Sequence, residues 1–500
     1  MSAPAEHWRR IHPRTPLVTC GYLLTLLLPT IALLIYRGVP GWIVWLSVAP
    51  PAILIPAYEL LRARLTRFRV VDGRFELRKG VVFRSRRGVA LERVRSVDAT
   101  AEPLGRLLGL TGVRIGTGEN VADEDSALRV FALGRAAAER LRTELLPSRG
   151  SERETAVLAR WEAGWLWFAP FSFVSPLLGL AAFGGGYELI DMLGVDVDGT
   201  VIPEVIATLA GLPLWLAVGG LILVALVVGA TAATGLHAES WWRHRLALSP
   251  DTIQVRRGLL TTRNITLERD RLIGVQLREP LSLRWAGAAS VRAVATGLGR
   301  DDDERNRERS TLLPPVRWSP ARRVAARIIG RESFPAEARD LRPHPRAARR
   351  RRIGWALAWV AGPFAVLILL GMLLTDVLLY IGWWCAGVGL PVALLLALDA
   401  YRSLGHTHDA EFLVSRSGSV CRTTTALRRA DVIGVTISRS PFQRRSGLIN
   451  LTATIAGGTG AYRVPDTDQD EGLEFARHAV GGLITPFLID DRSSDAQRPA

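Results

Sequence analysis

FRVVDGRFELRKGVVFRSRRGVALERVRSVDATAEPLGRLLGLTGVRIGTG, from Phe68 to Gly118, returns twice in the chain. The second copy, HRLALSPDTIQVRRGLLTTRNITLERDRLIGVQLREPLSLRWAGAASVRAVATG, runs from His244 to Gly297. The third, DAEFLVSRSGSVCRTTTALRRADVIGVTISRSPFQRRSGLINLTATIAGGTG, runs from Asp409 to Gly460 and is more diverged. A strand, a turn, a second strand and an L-E-R-like segment lead in each to Pro103, Pro280 or Pro441. A glycine follows each proline, at Gly109, Gly287 and Gly447. Self-similarity at a long period marks a repeat architecture, so the fold is read from the repeat outward. The second strand ends at Gly80 or Gly258; in the third copy Cys421–Thr425 reads as standing where that glycine is missing.

Within the first copy, Phe68, Val70, Phe75, Leu77, Val81 and Phe83 alternate with charged residues, and Asp72-Gly73 supplies a tight turn. Period-two alternation about such a turn predicts antiparallel hairpins. Val113, Ile115 and Leu128–Leu133 predict further strands. The period then changes. Ala138, Leu141 and Leu145 share one face of a helix over Gly134–Leu146, which closes the module. In the second copy Ser319-Pro320 reads as a helix start, with Val324, Ile328 and Ile329 as the buried stripe. Asp468–Phe487 reads as the third closing helix, and Asp301–Arg309 as a solvated hairpin loop.

Between the modules the composition is of another kind. The chain has 500 residues, 48% of them hydrophobic. The apolar residues collect in runs: Leu17–Tyr36, Trp42–Leu61, Ala163–Phe183, about Val205–Leu236, Ile353–Thr375 and Val377–Tyr401. Each approximates the ~20 residues that cross a bilayer as a helix. No Lys or Arg lies between Arg160 and Arg243 or between Arg352 and Arg402, while basic residues crowd the flanks. The positive-inside rule therefore places the loops outside, and the N-terminus, all three modules and the C-terminus in the cytoplasm of a multi-pass cell-membrane protein. The first span is retained, since no small-residue cleavage site follows it.

The expected organisation is a membrane α plus β protein. Three transmembrane helical hairpins, six spans in all, alternate with three small strand-rich roll or barrel modules, each closed by a C-terminal helix. In residue numbers these are a cytoplasmic N-terminus (1–16), hairpin 1 (17–62), module 1 (63–146), a linker (147–160), hairpin 2 (161–237), module 2 (238–330), a basic linker (331–352), hairpin 3 (353–401), module 3 (402–488) and a disordered tail (489–500).

The hairpin followed by V-x-D-G-x-x-x-L-R-K-G-V, by L-E-R-V-R-S-V and by P-L-G-R-L-L-G-L at Pro103 resembles the bacterial PH-like domains of YdbS/YdbT-like membrane proteins. His12-Pro13-Arg14 and His344-Pro345-Arg346 resemble that family's juxtamembrane motif. The resemblance implies a pleckstrin-homology-like fold, a bent sheet capped by a helix, and no established catalytic chemistry.

The formal net charge is +16, and Lys79 is the one lysine among 63 basic residues. Most of the surplus flanks the spans, where topology and anionic headgroups account for it at about 1 kcal/mol per cation. A nucleic-acid partner is not expected. Nucleophile-elbow, P-loop, metalloprotease and kinase signatures are absent, so no enzyme and no cofactor is expected. Cys20, Cys385 and Cys421 make no disulfide framework, and His406-Thr407-His408-Asp409 reads as a juxtamembrane segment rather than a metal site. Glu59, Glu162, Asp376 and Asp399 fall at span ends, so none marks a transport pathway. The candidate surface is Lys79, Arg84, Arg86 and Arg87, with Arg256 and Arg257 at the matching place in the second module. It suits an anionic lipid headgroup or a protein partner. The functional reading is a scaffold or sensor held on the bilayer, the alternative a transporter or channel component with regulatory modules.

Overall fold

The computed structural model describes residues 8–80, 85–94, 96–116, 128–145, 156–192, 203, 207–208, 210–296, 304–335, 341–457 and 460–480. The tail 489–500 and Arg84 lie outside the described residues. The chain divides into two compact units, Met1–Arg271 and Leu272–Ala500, with the boundary inside the second repeat.

In the first unit, β1 (Arg9–Arg10), β2 (Arg67–Val71), β3 (Arg74–Lys79) and β4 (Ser85–Ala90) form an antiparallel sheet in that order. Asp72 and Gly73 both take positive φ, 51° and 67°, which gives the β2–β3 hairpin the twist its strands need. β5 (Ser96–Ala101), β6 (Leu110–Gly116) and β7 (Leu128–Gly134) form the second half of the module. The helix Arg135–Leu145 closes it. Its Ala138, Leu141 and Leu145 are buried with Phe68, Phe75, Leu77, Val97, Val113 and Ile115 from both half-sheets.

The modules do not own separate sheets. β8 (Ala156–Arg160), β9 (Arg245–Leu248), β10 (Thr252–Arg257) and β11 (Thr262–Glu268) belong to one seven-stranded sheet of order β7-β6-β5-β11-β10-β9-β8. β11 of the second repeat pairs antiparallel with β5 of the first, Asn264 opposite Ala99 and Ile265 opposite Asp98.

The second unit repeats the arrangement. β12 (Leu272–Pro280), β13 (Ala288–Ala295) and β14 (Thr311–Arg317) carry the closing helix Trp318–Ile328. β12 pairs along its far edge with β17 (Cys421–Arg428), which continues into β16 (Phe412–Ser417) and β15 (Gly405–His408). β18 (Val432–Ser438), β19 (Leu448–Ile455) and β20 (Ala461–Asp468) make the last sheet, closed by Gln469–Ala479.

Several expectations change. Gly418 ends β16 at φ 106°, as Gly258 ends β10 at φ 109°, so the third copy keeps its glycine. A Cβ would fall 1.9 Å from the Thr261 carbonyl oxygen at Gly258 and 2.1 Å from that of Cys421 at Gly418. Glycine is thus required twice over, by conformation and by space. The second closing helix begins at Trp318 behind Arg317, with no side-chain cap, so Ser319 is not its N-cap. Residues Glu304–Ser310 of the mixed-charge insert are helical rather than loop.

Among the described residues five helices are long and apolar enough to cross a bilayer, including Gly41–Leu65, Leu214–Trp241, Arg346–Leu374 and Asp376–Arg402. The third expected span is broken: Ala163–Phe171 and Val174–Gly186 meet at 74° beside Pro170. Counting the bent pair as one span gives six. Within the second hairpin, a Cβ on Gly179 would lie 2.0 Å from the Ala225 carbonyl oxygen, and one on Gly229 would lie 2.1 Å from that of Ser175. Small residues let these two helices touch backbone to backbone.

Candidate basic cavity at the first module junction

The five described residues of the basic set singled out from sequence, Lys79, Arg86, Arg87, Arg256 and Arg257, do not form one patch. On the β3–β4 hairpin, Lys79 faces Ser85, Leu77 faces Arg87 and Arg78 faces Arg86. Glu76 receives Arg69 at 2.6 Å and Arg86 at 2.8 Å. These hydrogen bonds, Arg69's first, hold the Glu76 carboxyl below the usual carboxylate range. Arg69 and Arg78 also cover the Trp8 ring at 4.7 and 4.2 Å. Part of the hairpin's charge is therefore already spoken for.

Arg256 and Arg257 are drawn elsewhere. β10 alternates, so Arg257 turns inward, 5% exposed, with its guanidinium 4.0 Å from the Trp241 ring centroid. Arg256 points the other way and faces Arg245 on β9 directly across the ladder. Like charges so placed destabilise a sheet. Arg243, at φ 51°, holds a left-handed backbone that L-residues adopt at a cost. Arg106 comes from the short helix Pro103–Leu107 after β5, and its guanidinium donates to the Leu259 carbonyl.

The β10–β11 turn that completes the site is pinned to the end of the Leu214–Trp241 helix. Gly258 N–H donates to Trp242 O at 2.9 Å, Leu259 N–H to Glu239 O at 2.9 Å and Thr261 N–H to Glu239 Oε1 at 3.0 Å. The result is a cavity of about 300 Å³ lined by Arg106, Arg243, Arg245, Arg256 and Arg257 with Trp242, Leu259 and Thr262, and by no carboxylate. Arg106, Arg243, Arg245 and Arg256 form no ion pair with an acidic side chain among the described residues. A smaller cavity of about 200 Å³ shares Arg106 and Arg256 and adds Arg135, Arg263 and Glu139.

Arg106 was not singled out from the sequence. Its signal is positional: an arginine recurs three or four residues after the proline of each repeat, as Arg106, Arg284 and Arg444.

A family model for the bacterial PH domain matches the chain three times, over residues 22–149, 200–331 and 356–480. The chain belongs to the bacterial PH domain family. Comparison with curated proteins and with solved structures gives no match.

The three PH domains differ in how they treat the junction arginines. At the second junction Arg284, the counterpart of Arg106, bonds Asp399 at 2.7 Å. Arg422 pairs with the buried Glu279, which also accepts from Trp318 Nε1. There the charge is balanced from within the chain. At the first PH junction Arg106, Arg243, Arg245 and Arg256 have no such acidic partner among the described residues.

The histidines do not make a metal site. Among the described residues no group of three His, Cys, Asp or Glu is placed to hold an ion. His406 packs against Phe475 and His344, at ring-centroid distances of 5.4 and 5.1 Å. His244 is sandwiched between Trp165 and Trp241, both centroids at 5.4 Å, next to the basic cavity. Burial first, then Arg257, lowers its pKa to about 3. The unfolded chain, with a histidine pKa near 6.5, takes the proton first. The neutral ring's contribution is therefore complete above about pH 6.5 and is lost as pH falls toward about 3. His244→Phe should remove from the acid destabilisation a slope that approaches roughly 1.4 kcal/mol per pH unit once the pH is about a unit or more below 6.5. Thermal melts of the full chain at pH 7 and pH 5 read this directly; identical pH slopes in both proteins would contradict it.

Proposed function

We propose that this chain is a non-enzymatic, multi-pass protein of the cell membrane, with its PH modules and both termini cytoplasmic, and that it holds an anionic lipid headgroup at the first module junction. The observation that carries the reading is the cavity whose Arg106, Arg243, Arg245 and Arg256 form no ion pair with an acidic side chain among the described residues, while at the second junction Arg284, the counterpart of Arg106, pairs with Asp399 and Arg422 pairs with Glu279. A lipid source fits because the β10–β11 turn is bonded to the end of an apolar helix, with Leu259 and Leu260 exposed beside it. At about 300 Å³ the cavity suits a headgroup of one or two phosphates rather than a large soluble ligand. The close backbone packing inside the second hairpin supports anchoring over a polar pathway.

The full chain is to be reconstituted in phosphatidylcholine nanodiscs doped with either cardiolipin or phosphatidylglycerol at matched total charge. Retention of cardiolipin should exceed that of phosphatidylglycerol. Arg256→Gln should reduce cardiolipin retention by about tenfold, the worth of a charge-assisted hydrogen bond of roughly 1.5 kcal/mol, while Arg86→Gln leaves it unchanged. Equal losses from both substitutions, erased together by salt, would instead describe a diffuse basic face and overturn the site.

A further inference from the structure

Each internal junction satisfies two strand edges at once, the outer edge of a repeat's fourth strand and that of the next repeat's third. β5 takes β11, and β12 takes β17. The repeat therefore leaves one half-junction at each end. In the first unit β4 is the last strand of its sheet, and in the second unit β18 is the first of its own; among the described residues no strand covers either outer edge.

The open β18 edge has the composition of an interior one. Val432–Ser438 reads VIGVTIS, with no charge and no proline, the devices by which edge strands are protected from pairing. Ile433 stands where Ile273 stands in the second repeat, six residues after the leucine that closes the preceding strand. Ile273 is 4% exposed, packed with Leu427, Ile455 and Tyr462 in the second junction, whereas Ile433 is 63% exposed. Ile437 and Leu277 show the same contrast, at 37% and 1%. These side chains match a covering that this chain alone gives only to the first two repeats.

We propose that copies of this chain join head to tail, β18 of one pairing antiparallel with β4 of the next and reproducing the internal junctions. Both junctions set the same register. At the first, Ala99, four residues before Pro103, faces Asn264, three before Leu267. At the second, Leu277, ten residues after Leu267, faces Thr424, three before Leu427. The β4 residue that stands where Leu267 and Leu427 stand is Val89, which faces Phe75 as they face Ile253 and Leu413, each five residues before the glycine that ends its strand. Ile437 is ten after Leu427, as Leu277 is ten after Leu267 and Ala99 ten after Val89, so either template puts Ile437 opposite Arg86, three before Val89, in the neighbouring copy. Val435 then faces Gly88. The charge of Arg86 is already offset by Glu76. The contact joins two different surfaces, so it propagates into a ring or an open row rather than stopping at a two-fold dimer.

The test uses the full chain in native membranes, with Cys20, Cys385 and Cys421 replaced by serine. Two differently tagged copies are co-expressed, one with Gly88→Cys and the other with Val435→Cys, and treated with a short thiol-to-thiol crosslinker. A product carrying both tags is expected, and a ladder of higher species when both cysteines are in every copy. Adding Ile433→Lys and Ile437→Lys to the copy that carries Val435→Cys should lower the yield about tenfold or more by setting buried charge against an arginine-bearing strand. Ala99→Cys with Asn264→Cys in one chain is the positive control, since those residues are partners at the first junction. A working control with no product between tags would overturn the proposal. So would a product confined to single chains, or a yield that the lysines leave unchanged.

Discussion

Leu141→Asp is expected to unfold the first module. Leu141 has no exposed surface and lies at the centre of a core drawn from both half-sheets, among Phe75, Leu77 and Ile115. An aspartate there is a charge without a partner, at a cost of about 4–5 kcal/mol or more, comparable to the whole stability of a small domain. The damage should not stop at the repeat boundary. β5 hydrogen-bonds to β11 over six residue pairs, so amides of β11 should lose protection together with those of β5. Hydrogen exchange on the full chain resolves both strands. Unchanged protection in β5 would show that the buried face of Arg135–Leu145 is wrongly assigned, and loss confined to β5–β7 would show that the modules fold independently.

Asp466→Ala should have the second large effect, in the third module. Asp466 is 1% exposed and takes φ 59°. Its carboxylate accepts from Arg351, from Arg352 Nε at 3.1 Å and from Gln443 Nε2 at 2.9 Å, while its own N–H donates to Asn450 Oδ1 at 3.0 Å. One side chain thus ties the first turns of the Arg346–Leu374 helix to β19 and β20. Alanine leaves two half-buried guanidinium groups unpaired, which costs about 3–5 kcal/mol, and adds a left-handed alanine. Asp466→Asn keeps the shape and tolerates the backbone, so it should lose less. Chemical denaturation of the two variants checks the order, and equal stability of wild type and Asp466→Ala would refute the linkage.

Much of the fold is visible in one dimension. Alternation about Asp72-Gly73 locates the first hairpin, and the change of period after Leu133 locates the closing helix, because both report which face of an element is buried. Neither reports which edge of a strand is paired. The sharing of sheets between repeats is therefore silent in the pattern, since β5 and β11 lie more than 160 residues apart and either would read the same beside another neighbour. The break in the third span has a local cause, Pro170, but its 74° bend depends on where Trp165 and Phe168 find burial. Gly418 went unread because the third copy aligns poorly by residue identity, although its φ matches that of Gly258.

The candidate site was half legible. Arg256 and Arg257 stand out as a pair and both line the cavity, yet alternation buries Arg257 against Trp241 and leaves Arg256 exposed opposite Arg245. Lys79, Arg86 and Arg87 resemble them in sequence and lie on another hairpin, where Glu76 takes up Arg86. What singles out the first junction is that Arg106, Arg243, Arg245 and Arg256 have no acidic partner among the described residues, and only the folded second junction, with Asp399 and Glu279 in place, makes that visible.

The most direct measurement of that claim is the thermal shift given by pyrophosphate to the full chain in phosphatidylcholine nanodiscs, wild type beside Arg256→Glu. An anion that enters the cavity relieves the Arg256–Arg245 opposition, so pyrophosphate should raise the wild-type Tm in proportion to the logarithm of its concentration. The built-in carboxylate should do the same from within. Arg256→Glu should start at a higher Tm, by the 0.2–1 kcal/mol or so of an opposite-charge cross-strand pair, and should no longer respond to the ligand. A wild type that pyrophosphate does not stabilise, or a variant that responds as the wild type does, would contradict an anion site at the first junction.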